Sequence, residues 1–316
     1  MSEPVISVVV STRDRPARLA GLLRALSAQT LEPQAFEVIV VDNGTGAAPV
    51  AVPAGEAMRV RVVRPARPGG PASGRNLGWR AAAAGLIAFT DDDCEPEPAW
   101  LAALLEAARR APGAIIQGVT RPIARELDRD GLLAHTVRIE RLGPQYETCN
   151  IAYPRAILAE LGGFDESFGR EPAGEDTDLA WRALHAGHRA VFAPAALVRH
   201  AVTRQSPAQA LRRAYRWSAV VGVYARHPEA RVMLWRGRFW NVWHYLLWRS
   251  VLVLPAPRWL RAAVLTRHAA ALAGRARAAG VRPAAVPLAV AFLAVHDAVE
   301  CAAILRGALR SRTLVL

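Results

Sequence analysis

Along its first 200 residues the chain alternates between two hydrophobic periods. Val5-Ile6-Ser7-Val8-Val9-Val10 is a short β-branched run of the kind a buried parallel strand presents. Pro16 opens a helix, with Leu19, Leu22, Leu23 and Leu26 at the spacing of one helical face. Phe36 to Val41 predicts a second buried strand, ended by Asp42-Asn43-Gly44, and Met58 to Val63 a third, alternating with Arg59 and Arg61. A Gly/Pro-rich turn, Arg67-Pro68-Gly69-Gly70-Pro71, precedes a helix from about Ser73 to Ala84, and Leu86-Ile87-Ala88-Phe89-Thr90 is the fourth strand. Pro98 starts a further helix with Trp100, Leu101, Leu104 and Leu105 on one side. Strands alternating with helices predict an α/β fold on a mostly parallel, doubly wound sheet. Ligands of such sheets sit beyond the carboxyl ends of the strands, which points to Ser11 to Asp14, Asp42 to Gly44 and Asp91 to Asp93.

After Pro207 the pattern changes. Six of the nine tryptophans (Trp217, Trp235, Trp240, Trp243, Trp248 and Trp259) are interleaved with arginines there. The apolar stretches Trp240 to Pro257 and Pro283 to Val295 both fall short of the ~20 residues needed to span a bilayer, because Arg249 splits one and His296-Asp297 ends the other. The division expected is an α/β domain over residues 1–205 and a mainly helical region over 206–316.

Composition narrows the class. At 316 residues, 52% apolar and 21% charged, the chain is neither disordered nor a disulfide-stapled miniprotein. Cys94, Cys149 and Cys301 form no CxxC pair, which argues against a zinc ribbon or a disulfide framework. Met1-Ser2-Glu3-Pro4 lacks the basic-then-apolar order of a signal peptide, so a reducing, cytoplasmic setting is expected. The net charge is +13 and every basic residue is arginine. Residues 1–200 carry 22 Arg against 24 acids, whereas residues 201–316 carry 18 Arg against only Glu229, Asp297 and Glu300. That asymmetry predicts two jobs, one of them on an anionic surface.

The chemistry gathers at the strand ends. Asp91-Asp92-Asp93 follows the fourth strand directly, and three adjacent carboxylates repel one another unless something positive sits among them. Two readings fit: a solvated acidic turn continuing into Glu95 and Glu97, or a site for a hard divalent cation that shares its coordination with phosphate. Asp14 and Asp42 end the first two strands, where an acid can cap a turn or hold a ribose. The loop Gly69 to Asn76 offers backbone N–H groups and Arg75 to a diphosphate, but matches neither GxGxxG nor GxxxxGK[ST]. Gly174-Glu175-Asp176-Thr177-Asp178 reads as a helix N-terminus whose dipole favours acids, or as the carrier of a general base, Asp176 or Glu175. His200 is ambiguous by itself.

Taken in order, these pieces resemble a family 2 glycosyltransferase of the GT-A fold over residues 5 to about 205. The matching segments are Val-Val-Val-Ser-Thr-Arg-Asp-Arg-Pro (8–16), Val-Ile-Val-Val-Asp-Asn-Gly (38–44), Gly-Arg-Asn-Leu-Gly (74–78), Phe-Thr-Asp-Asp-Asp (89–93), Gly-Gly-Phe-Asp-Glu (162–166), Gly-Glu-Asp-Thr-Asp-Leu (174–179) and Val-Arg-His (198–200). The resemblance implies nucleotide-sugar binding over 1–120 and the acceptor and catalytic part over 121–205. It implies that Asp14 and Asp42, with Thr12 and Arg13, meet the nucleoside of a UDP-, dTDP- or GDP-linked sugar. Arg75, Asn76 and Asp92 would lie by its ribose and diphosphate. Asp91 and Asp93 would be the outer residues of a DXD motif holding Mn²⁺ or Mg²⁺, with Asp93 the direct ligand and His200 a further one. Asp176 matches the catalytic base, and Gly162 to Glu166 would shape the acceptor side. The implied reaction is single displacement with inversion onto a hydroxyl of a glycan, a lipid-linked intermediate or a natural product, in cell-envelope or natural-product glycosylation.

The resemblance does not reach residues 206–316. Three readings of that region compete: a helical cover with solvated arginines, an element lying on an anionic membrane surface at the inner face of the cell membrane, or a nucleic-acid-binding region. The membrane reading is preferred, because Trp suits the interface and Arg the headgroups, and because no helix-turn-helix, zinc-finger or RRM pattern is present. An Arg/Trp helix hairpin also suits a homodimer contact. The rival to an enzyme is a catalytically silent nucleotide-sugar-binding or scaffold protein, and the intact set Asp91, Asp93, Asp176 and His200 speaks against it.

Overall fold

Successive side chains of a strand point to opposite faces, and β1 (Ile6–Thr12) buries both: Ile6, Val8 and Val10 enter one apolar cluster, Val9 another. The structure is a computed structural model that describes residues 3–46, 50, 58–169 and 173–316. The strands that follow are β2 (Phe36–Asp42), β3 (Arg59–Val63), β4 (Leu86–Thr90), β5 (Cys94–Pro96), β6 (Ile115–Pro122), the two-residue β7 (Ala134–His135), β8 (Asn150–Pro154), β9 (Ala190–His200) and β10 (Thr203–Arg204). The helices are α1 (Pro16–Ser27), α2 (Pro71–Ala81), α3 (Trp100–Arg110), α4 (Arg155–Glu160), α5 (Glu175–His185), α6 (Pro207–Arg216), α7 (Val221–Arg226), α8 (Val242–Leu252), α9 (Arg258–Ala278) and α10 (Val286–Ser311).

Two units emerge, one of residues 1–126 and 136–201, the other of residues 127–135 and 202–316. The first is an α/β unit around an eight-stranded mixed sheet in the order β3-β2-β1-β4-β8-β6-β9-β5. The β1, β2, β3 and β4 pairs are parallel, as are β6 and β9, while β8 runs antiparallel to both its neighbours and β5 to β9. Leucines 19, 22, 23 and 26 of α1 and Trp100, Leu101, Leu104 and Leu105 of α3 cover one face. Trp79 of α2 and Leu179, Ala180 and Ala183 of α5 cover the other, against Ile39, Ile87, Phe89 and Tyr153.

The helix expected from Ser73 begins at Pro71, whose fixed φ and missing N–H suit a first helical position. This helix lies very close to the sheet. A Cβ on Gly78 would meet Val9 Cγ1 at 2.3 Å, and one on Gly74 would meet Ser11 Oγ at 2.4 Å. Both glycines of the Gly-Arg-Asn-Leu-Gly segment therefore set the distance at which Arg75 stands from the strand ends. Gly78→Ala should overpack the contact with β-branched Val9 and destabilise by roughly 1–3 kcal/mol, read as a drop of about 2–4 °C in Tm per kcal/mol.

The second unit is built on α6 to α10. Ser206 caps α6 in a reciprocal box with Gln209. Helix α10 packs on α6, α7, α8 and α9. Its two acids turn inward: Asp297 pairs with Arg275 Nη1 at 2.9 Å, and Glu300 Oε2 lies 3.2 Å from His244 Nε2 and accepts from Asn241 Nδ2 at 3.1 Å. Pro283–Ser311 is, among the described residues, one stretch long and apolar enough to cross a membrane, because the helix runs on through His296-Asp297 where the sequence pattern ends it. The pairing of Asp297 and Glu300 shows that the face carrying them is turned into the unit.

Candidate active site

Parallel pairing places the carboxyl ends of β1, β2 and β4 along one edge, with Thr12 opposite Asp42. At this edge the three consecutive aspartates separate by direction. Asp92 is buried, accepts from Thr12 Oγ1 at 2.7 Å and lies 3.2 Å from Arg15 Nη1. Burial, reinforced by the neighbouring charge of Asp93, pushes its carboxyl up to about 6. Asp91, one residue before, turns away to Arg75, with its Oδ1 3.1 Å from Nη2, while Asp93, one residue after, shares Arg15 with Asp92, its Oδ2 lying 3.4 Å from the same Nη1.

Asp93 is brought to His200 by the antiparallel β5–β9 ladder, in which Cys94 faces His200 and Ala201 N donates to Asp93 O at 2.9 Å. Asp93 Oδ1 and His200 Nε2 are 3.6 Å apart. The other imidazole nitrogen, Nδ1, lies 2.8 Å from the Ala201 carbonyl, which can only accept, so Nδ1 carries a hydrogen. In the neutral ring, Nε2 then presents its lone pair towards a carboxylate oxygen. A proton on Nε2 would make this an ion pair, and a cation between the two atoms would satisfy them equally; a carbonyl that fixes the ring through its far nitrogen is the usual support of a metal-bound histidine. A hard divalent cation with open positions for phosphate oxygens fits this carboxylate and imidazole. Cys94 Sγ completes a group of potential ligand atoms within 4.8 Å of one another. Burial first, then Cys149, holds the Cys94 thiol well above its ordinary range, which keeps it a neutral thiol and a poor ligand. Asp91, expected from the sequence beside Asp93, stands outside that group and with Arg75 instead.

Arg75 joins the two halves of the edge. Its Nη1 donates to Glu175 Oε1 at 2.9 Å and its Nη2 to Asp91 Oδ1 at 3.1 Å, with its guanidinium 5.7 Å from the Phe164 ring centre. Burial works against its charge, but Asp91, Glu175 and Asp176 outweigh burial and raise the guanidinium above its ordinary range. Glu175 also accepts from Ala173 N at 2.9 Å, so it is spent on Arg75 and on the start of α5. Asp176, next along, accepts from Thr177 N at 2.8 Å. Burial, then the charge of Glu175, pushes its carboxyl up to about 8. The buried Tyr153 hydroxyl, without a hydrogen-bond partner, feels the Asp176 charge.

Other residues expected on the donor serve the scaffold as well. Asn76 Nδ2 donates to Phe164 O at 2.8 Å and Glu166 Oε1 at 2.9 Å, and its Oδ1 accepts from Phe164 N and Trp79 Nε1. That fills the capacity of an amide side chain and ties α2 to the Gly-Gly-Phe-Asp-Glu segment. Asp42 accepts from Gly44 N and Val50 N, both at 2.9 Å, and its Oδ2 lies 3.2 Å from Arg64 Nε. Asp14, with φ of 54°, accepts from Thr45 N at 3.1 Å. Arg13 is exposed at the same edge. Arg15 was not singled out from the sequence; the signal was its place between a strand end and Pro16, at the ligand-bearing edge. For Tyr153 the sequence carries no such signal.

The model described as Glycosyl transferase family 2 matches residues 7–160, and that described as Glycosyl transferase family group 2 matches residues 136–295. The chain is 30% identical over 242 residues to a pre-mycofactocin glycosyltransferase of Mycobacterium tuberculosis, covering 71% of this chain and 48% of that one. It is 30% identical over 220 residues to a validoxylamine A glucosyltransferase of Streptomyces hygroscopicus, covering 58% of this chain and 48% of the relative. It thus spans about half the length of these curated relatives. Among solved structures it resembles the mannosyltransferase PcManGT of Pyrobaculum calidifontis in complex with GDP-Man and Mn²⁺, with a TM-score of 0.57, 22% identity and coverage of 99% of this chain and 88% of the other. It also resembles S. aureus TarS in complex with UDP-GlcNAc, with a TM-score of 0.53, 15% identity and coverage of 98% and 92%. These likenesses show the GT-A fold.

Proposed function

We propose that this chain, which belongs to the family 2 glycosyltransferases, moves a sugar from a nucleoside-diphosphate sugar to an acceptor hydroxyl with inversion at the anomeric carbon. The observation that carries this reading is the single guanidinium of Arg75, which ties Asp91 on the strand edge to Glu175 beside Asp176. It joins a diphosphate-facing edge to Glu175, 100 residues from Arg75 in sequence and next to the candidate base Asp176.

Asp93 and His200 would hold a Mn²⁺ or Mg²⁺, which would supply positive charge to the departing diphosphate. Arg15, exposed beside Asp92 and Asp93, is placed to meet the same phosphates once the carboxylates have another partner. Asp14 and Asp42 hold the loop beyond β2 through Thr45, Gly44 and Val50, and so form the floor on which a nucleoside would lie. Asn76 is read as a positioning residue that fixes the acceptor-side segment.

Asp176 takes the proton of the attacking hydroxyl as its oxygen bonds to the anomeric carbon. The bond from that carbon to the diphosphate oxygen breaks, and its electron pair leaves with the nucleoside diphosphate. A base with a raised pKa is well matched to this task, since it keeps affinity for the proton near neutral pH. One displacement needs no second nucleophilic carboxylate. The second unit is read as a surface for anionic lipid, which places the enzyme at the inner face of the cell membrane and suits a lipid-linked acceptor. The stereochemical part is checked by NMR of the product: an α-linked donor should give a β-linked product, and retention of configuration would overturn the single displacement.

A further inference from the structure

Helix α9 is 21 residues long, yet His268, Leu272 and Ala276 are its buried residues, all from its midpoint onward. The first half, with the turn that precedes it, is apolar and uncovered. Leu252 is 70% exposed, Leu254 51%, Trp259 72%, Val251 47% and Leu260 36%. These residues are held in a defined shape. Val253 N donates to Arg249 O, Leu254 N to Val251 O and Arg261 N to Pro257 O, so the α8–α9 connection is an ordered helical corner rather than a loose loop.

Other exposed apolar side chains of this unit, such as Leu288 and Leu309, lie on α10, whereas these five fall within ten consecutive residues, and so dense an apolar stretch calls for a cover. Charge identifies it. Of the three acids in residues 201–316, Asp297 and Glu300 are buried, Asp297 on Arg275 and Glu300 beside His244, so that span exposes Glu229 against 17 other arginines, and residues 127–135 of the same unit add the exposed Asp128 and Asp130. Arg258 and Arg261 flank Trp259 itself. An apolar wedge with an aromatic at its rim and a cationic collar matches the boundary between headgroups and acyl chains of an anionic bilayer.

We infer that the α8–α9 corner, led by Leu252, Leu254 and Trp259, inserts into the interfacial layer of an anionic membrane while the arginines around it engage the headgroups. This deepens the reading of the second unit as a lipid-facing surface and rests on it. The wedge anchors the enzyme on the surface without spanning it.

The test is flotation of the full chain with vesicles of phosphatidylglycerol mixed with phosphatidylcholine, beside vesicles of phosphatidylcholine alone, with nucleoside diphosphate release measured on the same samples. The wild type should float with the anionic vesicles, and less as salt rises from about 0.1 M to about 1 M and the Debye length falls from ~10 to ~3 Å. Leu252→Glu/Trp259→Glu should lower vesicle partitioning by on the order of tenfold or more, with Tm and diphosphate release unchanged. Brominated acyl chains should quench wild-type fluorescence, and Trp259→Phe should remove that quenching while floating normally. If the wild type floats and the double variant floats equally, the membrane reading stands and this corner is not the wedge. If the wild type floats with neither vesicle, or equally with both, the membrane reading fails as well. If it fails to float but forms a dimer that the double variant dissociates in light scattering, the corner is a contact between copies and the inference is overturned. Each outcome is independent of the glycosyl-transfer reading, which fails only if diphosphate release is absent.

Discussion

Asp176→Asn is expected to lower kcat by roughly 10²–10⁴-fold, the usual worth of a positioned general base, while leaving affinity for the donor as in the wild type. The amide keeps the size of the side chain and can still accept from Thr177 N, so the start of α5 should stay in place. The wild-type pH profile carries a second signature. Asp176 works only as the carboxylate, and burial with the adjacent Glu175 pushes it up to about 8. Activity should therefore rise through the neutral range and level off above about pH 8. The variant's residual rate should lack that limb. The sign for stability is opposite. A carboxyl whose pKa is raised on folding binds its proton more tightly in the native state, so stability falls as pH rises towards that value. Asp176→Asn should accordingly be at least as stable as the wild type at alkaline pH. A variant that keeps both its rate and the wild-type pH limb would place the base elsewhere.

Arg75→Ala should show the largest loss of stability. The substitution leaves Glu175 buried without its guanidinium partner and Asp91 unpaired at the strand edge. Removing one member of a buried pair costs about 3–5 kcal/mol, a Tm decrease on the order of 10 °C for a unit of this size. Glu175→Leu in the same chain should recover part of the loss, because the remaining buried charge is then gone. A single variant within 1 °C of wild type, on a scale where about 1 kcal/mol shifts Tm by several degrees, would show that Arg75 is not the tie between the two halves of the site.

The parts legible in the sequence were those where one residue type signals one environment. Strands β1, β2 and β4 read cleanly because parallel strands buried on both faces are continuous apolar runs, and the half-buried β3 through its alternation of Val with Arg59 and Arg61. Strand β5, with three residues including Glu95 and Pro96, carries no hydrophobic period at all, yet it brings Asp93 to His200. Strand β8 begins at Asn150, whose amide is buried by bonds to Trp100, Val119 and Ala196, and a polar start hides a buried strand. Residues 127–135 lie in sequence within the segment expected to form the acceptor part, yet they group with the second unit, because their partners are far away in the chain.

For the site, the ordered motifs marked the right segments but not the direction of each side chain. Residue type cannot tell Asp92, turned to Thr12, from Asp93, turned to His200. Nor does it separate an asparagine that meets a ligand from Asn76, whose four bonds are internal. Arg15 was hidden by composition, as one of 40 arginines.

The central claim is that Asp93 and His200 converge on a cation that receives a nucleotide sugar. It is tested most directly by the Tm of the wild type, Asp93→Ala and His200→Ala against UDP-, dTDP- and GDP-linked sugars, each with and without Mn²⁺. At a free donor concentration near one hundred times Kd, the wild type should gain about 2.7 kcal/mol, several degrees, with one class of donor and only when Mn²⁺ is present, and both variants should lose that gain. No Mn²⁺-dependent rise with any donor in the wild type, or a rise of equal size in both variants, would contradict the account.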